Sequence, residues 1–418
     1  MTRLDAQQAG HRFPQFLPDG QHFLYYVAGT PENRGVYIGQ LDGSKTERLL
    51  DADSAAVYAS SGQLLFARGG TLFAQDFDPV RLALGGNPFL VAEQVAVDVY
   101  GAAVSASPAG PLVFRTGSGG AAQRQFVWFD RSGKAIENVG EPDIANPIQP
   151  ALSPDGRRVA LSRNVNGNSD IWFLDTRRGV LSRFTFDATF DNFPTWSPDG
   201  SGVVFSSNRK GVFDLYQKPT TGAVNEELLL ANAQSKNPVD WSPDARFVLY
   251  RSSGPKTTND LWALPLDGDR KPFPVVQTNF DERDGQFSPD GKWIAYQSNE
   301  SGRFEIYVQP FPGPGGKSQV SNNGGAQVRW RRDGKELFYI ALDDRLMAVP
   351  IRIASDGQTL EAGAPVPLFV TRIGSAASPN VTRQQYMVSA DGQRFLMNTL
   401  TEEATSPITV ILNWKAKP

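Results

Sequence analysis

Residues 196–207 read Trp196-Ser197-Pro198-Asp199-Gly200-Ser201-Gly202-Val203-Val204-Phe205-Ser206-Ser207, an apolar strand end, a four-residue turn and a second apolar strand. Ser at the first turn position, Pro with its φ preset at the second, Asp at the third and Gly at the fourth suit a type I turn between antiparallel strands. The stretch therefore predicts a hairpin. Clear copies stand at 152–162 (LSPDGRRVALS), 241–252 (WSPDARFVLYRS) and 287–298 (FSPDGKWIAYQS), and weaker ones at 16–26, 330–340 and 388–398. Two degraded copies at 59–68 and 105–115 fill the gap between the first and the rest. The turn glycine or its replacement falls at 20, 62, 110, 156, 200, 245, 291, 334 and 392, so nine repeats are spaced 42 to 48 residues apart, with one interval of 58.

A third strand follows each clear hairpin, as in Asp170-Ile171-Trp172-Phe173-Leu174, Asp214-Leu215-Tyr216, Asp260-Leu261-Trp262 and Glu305-Ile306-Tyr307. A fourth, such as LSRFTF at 181–186 or EELLLA at 226–231, precedes the next copy. Four short strands every ~45 residues is the period of a propeller blade. The expected fold is thus all-β, a β-propeller of four-stranded blades, with a Trp or Tyr of the third strand wedged between neighbouring blades. Composition agrees: 40 Gly and 30 Pro in 418 residues, with charged residues at 20%, describe many short strands joined by tight turns.

A second periodicity bears on the number of rings. An insert ending Gly86-Asn87-Pro88-Phe89-Leu90 and one ending Gly363-Ala364-Pro365-Val366-Pro367-Leu368 lie six repeats apart. Phe126-Val127-Trp128-Phe129 and Thr409-Val410-Ile411-Leu412 correspond in the third and ninth repeats, and both lack the acidic start of the middle third strands. The expectation is three blades of one propeller in residues 1–133 and a complete six-bladed propeller in 134–418. Residues 134–141 would then close the final blade beside Thr409-Val410-Ile411-Leu412. A single ring of eight or nine blades is the alternative.

Several function classes fall away. A net charge of −3 without any basic block lacks the footprint of a nucleic-acid binder. With no cysteine there is no thiolate metal site, no disulfide and no cysteine nucleophile, and such a chain suits cytosol and periplasm equally. No run of 18 apolar residues suggests a membrane segment, and the start MTRLDAQQAGHRFPQF has no apolar core of an export signal. The only histidines are His11 and His22, so residues 23–418 offer neither a Ser-His-Asp triad nor a histidine metal site. Neither a G-x-S-x-G elbow nor the kinase signatures occur. No catalytic residue, metal or cofactor is expected.

The recurrent acids Asp155, Asp199, Asp244 and Asp290 read as turn structure, and Asp170, Asp214, Asp260 and Glu305 as hydrogen-bond acceptors within the blades. Asn166-Gly167-Asn168-Ser169-Asp170 has the look of a calcium loop without its later bidentate Glu. Propellers bind where loops converge at the mouth of the central channel. The loops leading into the inner strands supply the candidates Asn146, Asp191, Asn192, Lys236, Asn237, Asp281, Arg283, Asp284 and Arg329, a mixed polar set suited to a protein or small-molecule ligand.

The SPDG and D-[IL]-[YW] pattern resembles the propeller repeat of TolB and of prolyl-oligopeptidase-type peptidases. NSDIWFLD (168–175), RFTFD (183–187), SSNRKGVFDLYQKP (206–219), DRKPFPVVQT (269–278), YVQPFPGPGGKSQVS (307–321), WRRDGKELFYI (330–340) and SADGQRFLMNT (389–399) together resemble the extracytoplasmic propeller region of bacterial transmembrane serine/threonine protein kinases. That resemblance implies a non-catalytic binding or sensor module outside the cytoplasm, with any kinase domain encoded upstream. The rivals are a peptidase propeller without its hydrolase domain and a TolB-like periplasmic scaffold.

Overall fold

The Ser-Pro-Asp turns form as their chemistry dictates. In the computed structural model the hydroxyls of Ser153, Ser197, Ser242, Ser288 and Ser389 each donate to the Asp two residues on, at 2.5–2.6 Å. Each hydroxyl also accepts the backbone N–H five residues on, at 2.9–3.0 Å, which staples the second strand of the hairpin to the first. The fourth position is left-handed, with φ near +70° at Gly156, Gly200, Gly291 and Gly334. Ala245 takes the same conformation at φ +62° without glycine's freedom. In the fifth turn Arg331 replaces the serine and donates from its guanidinium to Asp333 at 2.6 Å.

The structure describes residues 8–29, 32–44, 46–98, 101–107, 110–116, 123–145, 147–165, 167–221, 225–254, 258–313, 315–354, 359–374, 384–401, 408–412 and 414. They form antiparallel sheets and no helix. The chain divides into two units, one of Met1–Ala121 with Glu402–Pro418 and the other of Ala122–Thr401.

The second unit holds six sheets. Their inner strands are Ile148–Leu152, Asp191–Trp196, Lys236–Trp241, Glu282–Phe287, Ala326–Trp330 and Tyr386–Val388. Each neighbours the next in that order, and the last neighbours the first, so the sheets follow one another in a closed circuit. Packing closes the same circuit, since a separate apolar cluster fills each of the six gaps between sheets. Phe173 and Phe184 meet Trp196 and Phe205 in the first gap, and Phe126 and Leu396 meet Val159 and Leu161 in the last. Tyr216 and Tyr307 of the third strands are buried in these gaps. The long interval of 58 residues is taken up by the fifth sheet, where Arg345–Ile353 pairs with both Leu360–Ala362 and Val366–Val370.

Closure of the circuit differs from the expectation. Arg124–Asp130 is the third strand of the sheet begun by Tyr386–Val388 and Arg394–Leu400, and Ala135–Asp143 is its outermost strand. Strand Ile408–Ile411 pairs instead with Leu112–Arg115 in the first unit. The two segments recognised as equivalent, 126–129 and 409–412, have thus exchanged sheets. The division consequently falls at 121/122 and 401/402 and not at 133/134. Specific bonds hold the exchange: Thr399 Oγ1 donates to the Gln125 carbonyl at 2.9 Å, and the Arg124 guanidinium donates to the Ile373 and Asn398 carbonyls.

The first unit contains a four-stranded sheet from Gln8–Phe16 to Thr46–Leu50 and another from Val57–Ala59 to Ala83–Ala92. Val97–Asp98 pairs with Gly101–Ala102 in a two-stranded sheet, and a further sheet is Val104–Ala106, Leu112–Arg115 and Ile408–Ile411, with Trp414 Nε1 bonded to the Gly110 carbonyl at 2.8 Å.

Candidate functional site

The acids read as structural are so in the second unit. Asp170 pairs with Arg183 at 2.7 Å, Asp214 with Lys236 at 2.9 Å, and Glu305 accepts from the Gly324 N–H at 2.9 Å. The same holds for most of the candidate residues on the loops leading into the inner strands. Asp191 is wholly buried and pairs with Arg209 at 3.2 Å, and Lys236 is wholly buried against Asp214. Asn192 accepts from Ser169 Oγ at 2.8 Å, and Asn237 packs its amide on the Ser206 hydroxyl and Arg251. Asp281 is clasped by Arg283 and by Asn259 Nδ2. Asn146 lies outside the described residues. These side chains fix the beginnings of the inner strands.

Asp284 and Arg329 lie further along their strands and differ. They line a cavity of about 1150 Å³ in the six-sheet unit, which opens at the Ser-Pro-Asp turns, the opposite end of the inner strands from the loops. Turn residues Pro154, Pro198, Pro243 and Pro289 line its wall together with Trp196, Trp241, Phe287 and Trp330, the final residues of four inner strands.

Each of the first five inner strands carries a bulge, and in four of them a left-handed residue stands there: Gln149 at φ +58°, Phe193 at +58°, Asp284 at +49° and Gln327 at +57°. A bulge re-aims a side chain out of the alternation of the strand. Gln149 uses this to accept the Phe193 N–H of the next sheet at 3.0 Å, and Gln327 accepts the Gln385 N–H of its own next sheet at 2.8 Å. Asp240 reaches across in the same way and accepts the Phe287 N–H at 2.7 Å. Polar links thus run from sheet to sheet, and those of Gln149 with Phe193 and of Asp240 with Phe287 lie on the floor of the cavity.

Not all of the polar groups there are satisfied. Gln149 Nε2, Gln384 Oε1 and Asp284 Oδ2 are buried and have no hydrogen-bond partner among the described residues. Burial pushes the Asp240 carboxyl up to about 6, against the opposing pull of the Phe287 and Trp241 N–H groups and of Arg329. Burial likewise raises Asp284, opposed by Arg251, Arg329 and Arg283, and lowers Arg329.

The serines on the wall are not poised as nucleophiles. Ser153, Ser197 and Ser389 are spent in turn bonds, and the Asp199 carboxyl beside Ser197 is held down at about 2 by that hydroxyl and by Ser201, which makes it a poor base. Among the described residues no three His, Cys, Asp or Glu gather in a metal-binding group, and no helix is long and apolar enough to cross a membrane.

In the sequence the turn-end mouth is marked by glutamine four residues before the turn at 149, 327 and 385 and by arginine in place of the turn proline at 332, a spacing that does not stand out from the turn motif itself.

Residues 127–271 match the family model of the TolB beta propeller domain. An uncharacterized protein of Agrobacterium fabrum is 27% identical over 210 residues, 45% of this chain and 68% of its own length. The uncharacterized peptidase YuxL of Bacillus subtilis is 26% identical over 199 residues, 37% of this chain and 30% of its own, so the chain spans under a third of that relative. Among solved structures, a TolB-named protein of Agrobacterium tumefaciens superposes with a TM-score of 0.51 at 20% identity, covering 66% of this chain and 98% of that one, a likeness of fold.

Proposed function

We propose that the six-sheet unit, a TolB-type propeller domain by its match over residues 127–271, is a binding module that takes a segment of a partner protein into the turn-end cavity. It lends recognition and no chemistry. The observation that carries this reading is the cavity floor, where among the described residues Gln149 Nε2 is a donor without acceptor while Gln384 Oε1 and Asp284 Oδ2 are acceptors without donor. A buried polar atom left unpaired costs roughly 1–3 kcal/mol, and peptide backbone offers both kinds of partner. Asp284 and Arg329 are the two loop candidates retained as ligand contacts; Asp191, Asn192, Lys236, Asn237, Asp281 and Arg283 serve the scaffold. The kinase-like strings at 206–219 and 307–321 support placing this module outside the cytoplasm as the sensing part of a receptor kinase.

A second reading is favoured by one observation, the relatives named as peptidases, YuxL and a tricorn protease homolog of Streptomyces coelicolor. On that reading the propeller admits peptide to a hydrolase domain. Both readings put a peptide in the cavity, and they differ in its fate, retained as a signal or passed on for cleavage. A photo-cross-linking residue at position 177, on the cavity wall, should give a discrete protein adduct in the cell of origin. The adduct should be lost in Asp284→Ala. No adduct at 177, or one indifferent to Asp284→Ala, contradicts the proposal.

A further inference from the structure

The charges on the cavity wall are not spread evenly around the circuit. Arg157 and Arg177 come from the first sheet, Arg332 from the fifth and Arg394 from the closing sheet, three consecutive members of the ring. None of the four forms a salt bridge among the described residues, although Arg157 acts on the nearby Asp155 carboxylate and Arg394 on that of Asp391, and the chain as a whole is slightly acidic at −3. Arg394 is held in place by stacking over the Trp128 ring at 5.1 Å. On the same arc stand the acids Glu137 and Asp155 on the wall and Asp333 and Asp391 in the turns, of which Asp155 and Asp391 are occupied by the Ser153 and Ser389 hydroxyls and Asp333 by Arg331. The opposite arc, from the second to the fourth sheet, meets the mouth with Pro198, Pro243 and Pro289 backed by Trp241 and Phe287. One side of the mouth is thus basic and the other apolar.

Four solvent-facing guanidinium groups without a salt bridge, lining one concave wall, raise the local potential and draw in opposite charge, most strongly at low salt. Guanidinium favours carboxylate through paired N–H donors. The proline and aromatic arc makes no such demand and buries apolar side chains.

Building on the binding-module reading, we propose that the turn-end mouth selects an acidic, amphipathic polypeptide segment, its carboxylates set against Arg157, Arg177, Arg332 and Arg394 and its apolar side chains against Pro198, Pro243 and Pro289. Selection is electrostatic at the rim and peptide-like at the floor.

The test is selection of random displayed peptides of about twelve residues on the intact chain, a length that spans a cavity of this size. Enriched sequences should combine Asp or Glu with apolar residues. Their binding should weaken about tenfold in Arg157→Glu/Arg332→Glu, both exposed positions, and weaken steeply as salt rises in the unmodified protein. The salt series keeps the test decisive if the double variant folds poorly. Enriched peptides that are neutral or basic, or binding indifferent to salt, overturn the acidic class while leaving a binding module in place. No enrichment above a surface without protein overturns the binding-module reading and this inference with it.

Discussion

The carboxylate of Asp240 accepts the backbone N–H of Phe287 at 2.7 Å, a bond that joins the third sheet of the ring to the fourth. Its environment holds the Asp240 carboxyl up at about 6, above the ordinary value of 3.8, chiefly by burial. The fold therefore favours the neutral acid. Asp240 contributes stability that is complete below pH ~4 and is lost as the pH rises through about 6. Asp240→Asn keeps an acceptor for Phe287 and removes the titration. Relative to the parent, this variant should gain roughly 1–2 kcal/mol between pH 4 and 7, below the full linkage value because the residue faces the cavity. Denaturant unfolding of both proteins across that range checks it, and parallel pH profiles would refute it.

Lys236 and Asp214 form a wholly buried ion pair at 2.9 Å between the second and third sheets. Removing one partner leaves a buried charge uncompensated, so Lys236→Ala should lose about 3–5 kcal/mol of stability, while Lys236→Met/Asp214→Leu should lose much less. Were Lys236 a ligand contact, Lys236→Ala would instead lose binding and keep its unfolding midpoint.

Ala245 occupies the left-handed turn position where four of the other five turns of the ring show glycine at φ between +70° and +74° and the sixth, Gly392, shows +66°. An L side chain there costs about 1–2 kcal/mol, part of which glycine gives back in the unfolded chain. Ala245→Gly should raise stability by up to about 1 kcal/mol in denaturant unfolding.

The exchange of strands fixes which fragments can fold. Residues 122–401 contain every strand of the six sheets and should unfold as a single cooperative unit. A fragment beginning at 134 lacks Arg124–Asp130, the strand bonded to Arg394–Leu400, and should be molten or insoluble. Calorimetry of the two fragments distinguishes them; a well-folded 134–418 would contradict the assignment of that strand.

The hairpins and the all-β fold were legible because Ser-Pro-Asp-Gly is a local instruction: five serine staples form from residues within five positions of one another. Closure was not legible in the same way. The segments 126–129 and 409–412 are chemically alike, so either could serve either sheet, and the choice is made by distant partners such as Asn398 for Arg124 and Gly110 for Trp414. The site was half legible. Asp284 and Arg329 emerged as candidates from their polarity, but Asp191 and Lys236 look identical in kind, and only Arg209 and Asp214 beside them mark these two as scaffold.

Recognition at the turn end of the six-sheet ring, as proposed, is distinguishable from recognition at the loop end. The most direct measurement is the affinity of a selected peptide for the unmodified chain, for Arg157→Glu/Arg332→Glu at the turn end and for Asn192→Ala/Asn237→Ala at the loop end. Titration calorimetry should give a dissociation constant about tenfold weaker for the first variant and within about twofold of the parent for the second. Loss of binding in the Asn192→Ala/Asn237→Ala protein, with the arginine variant unaffected, would place recognition at the loop end and rule out the turn-end site.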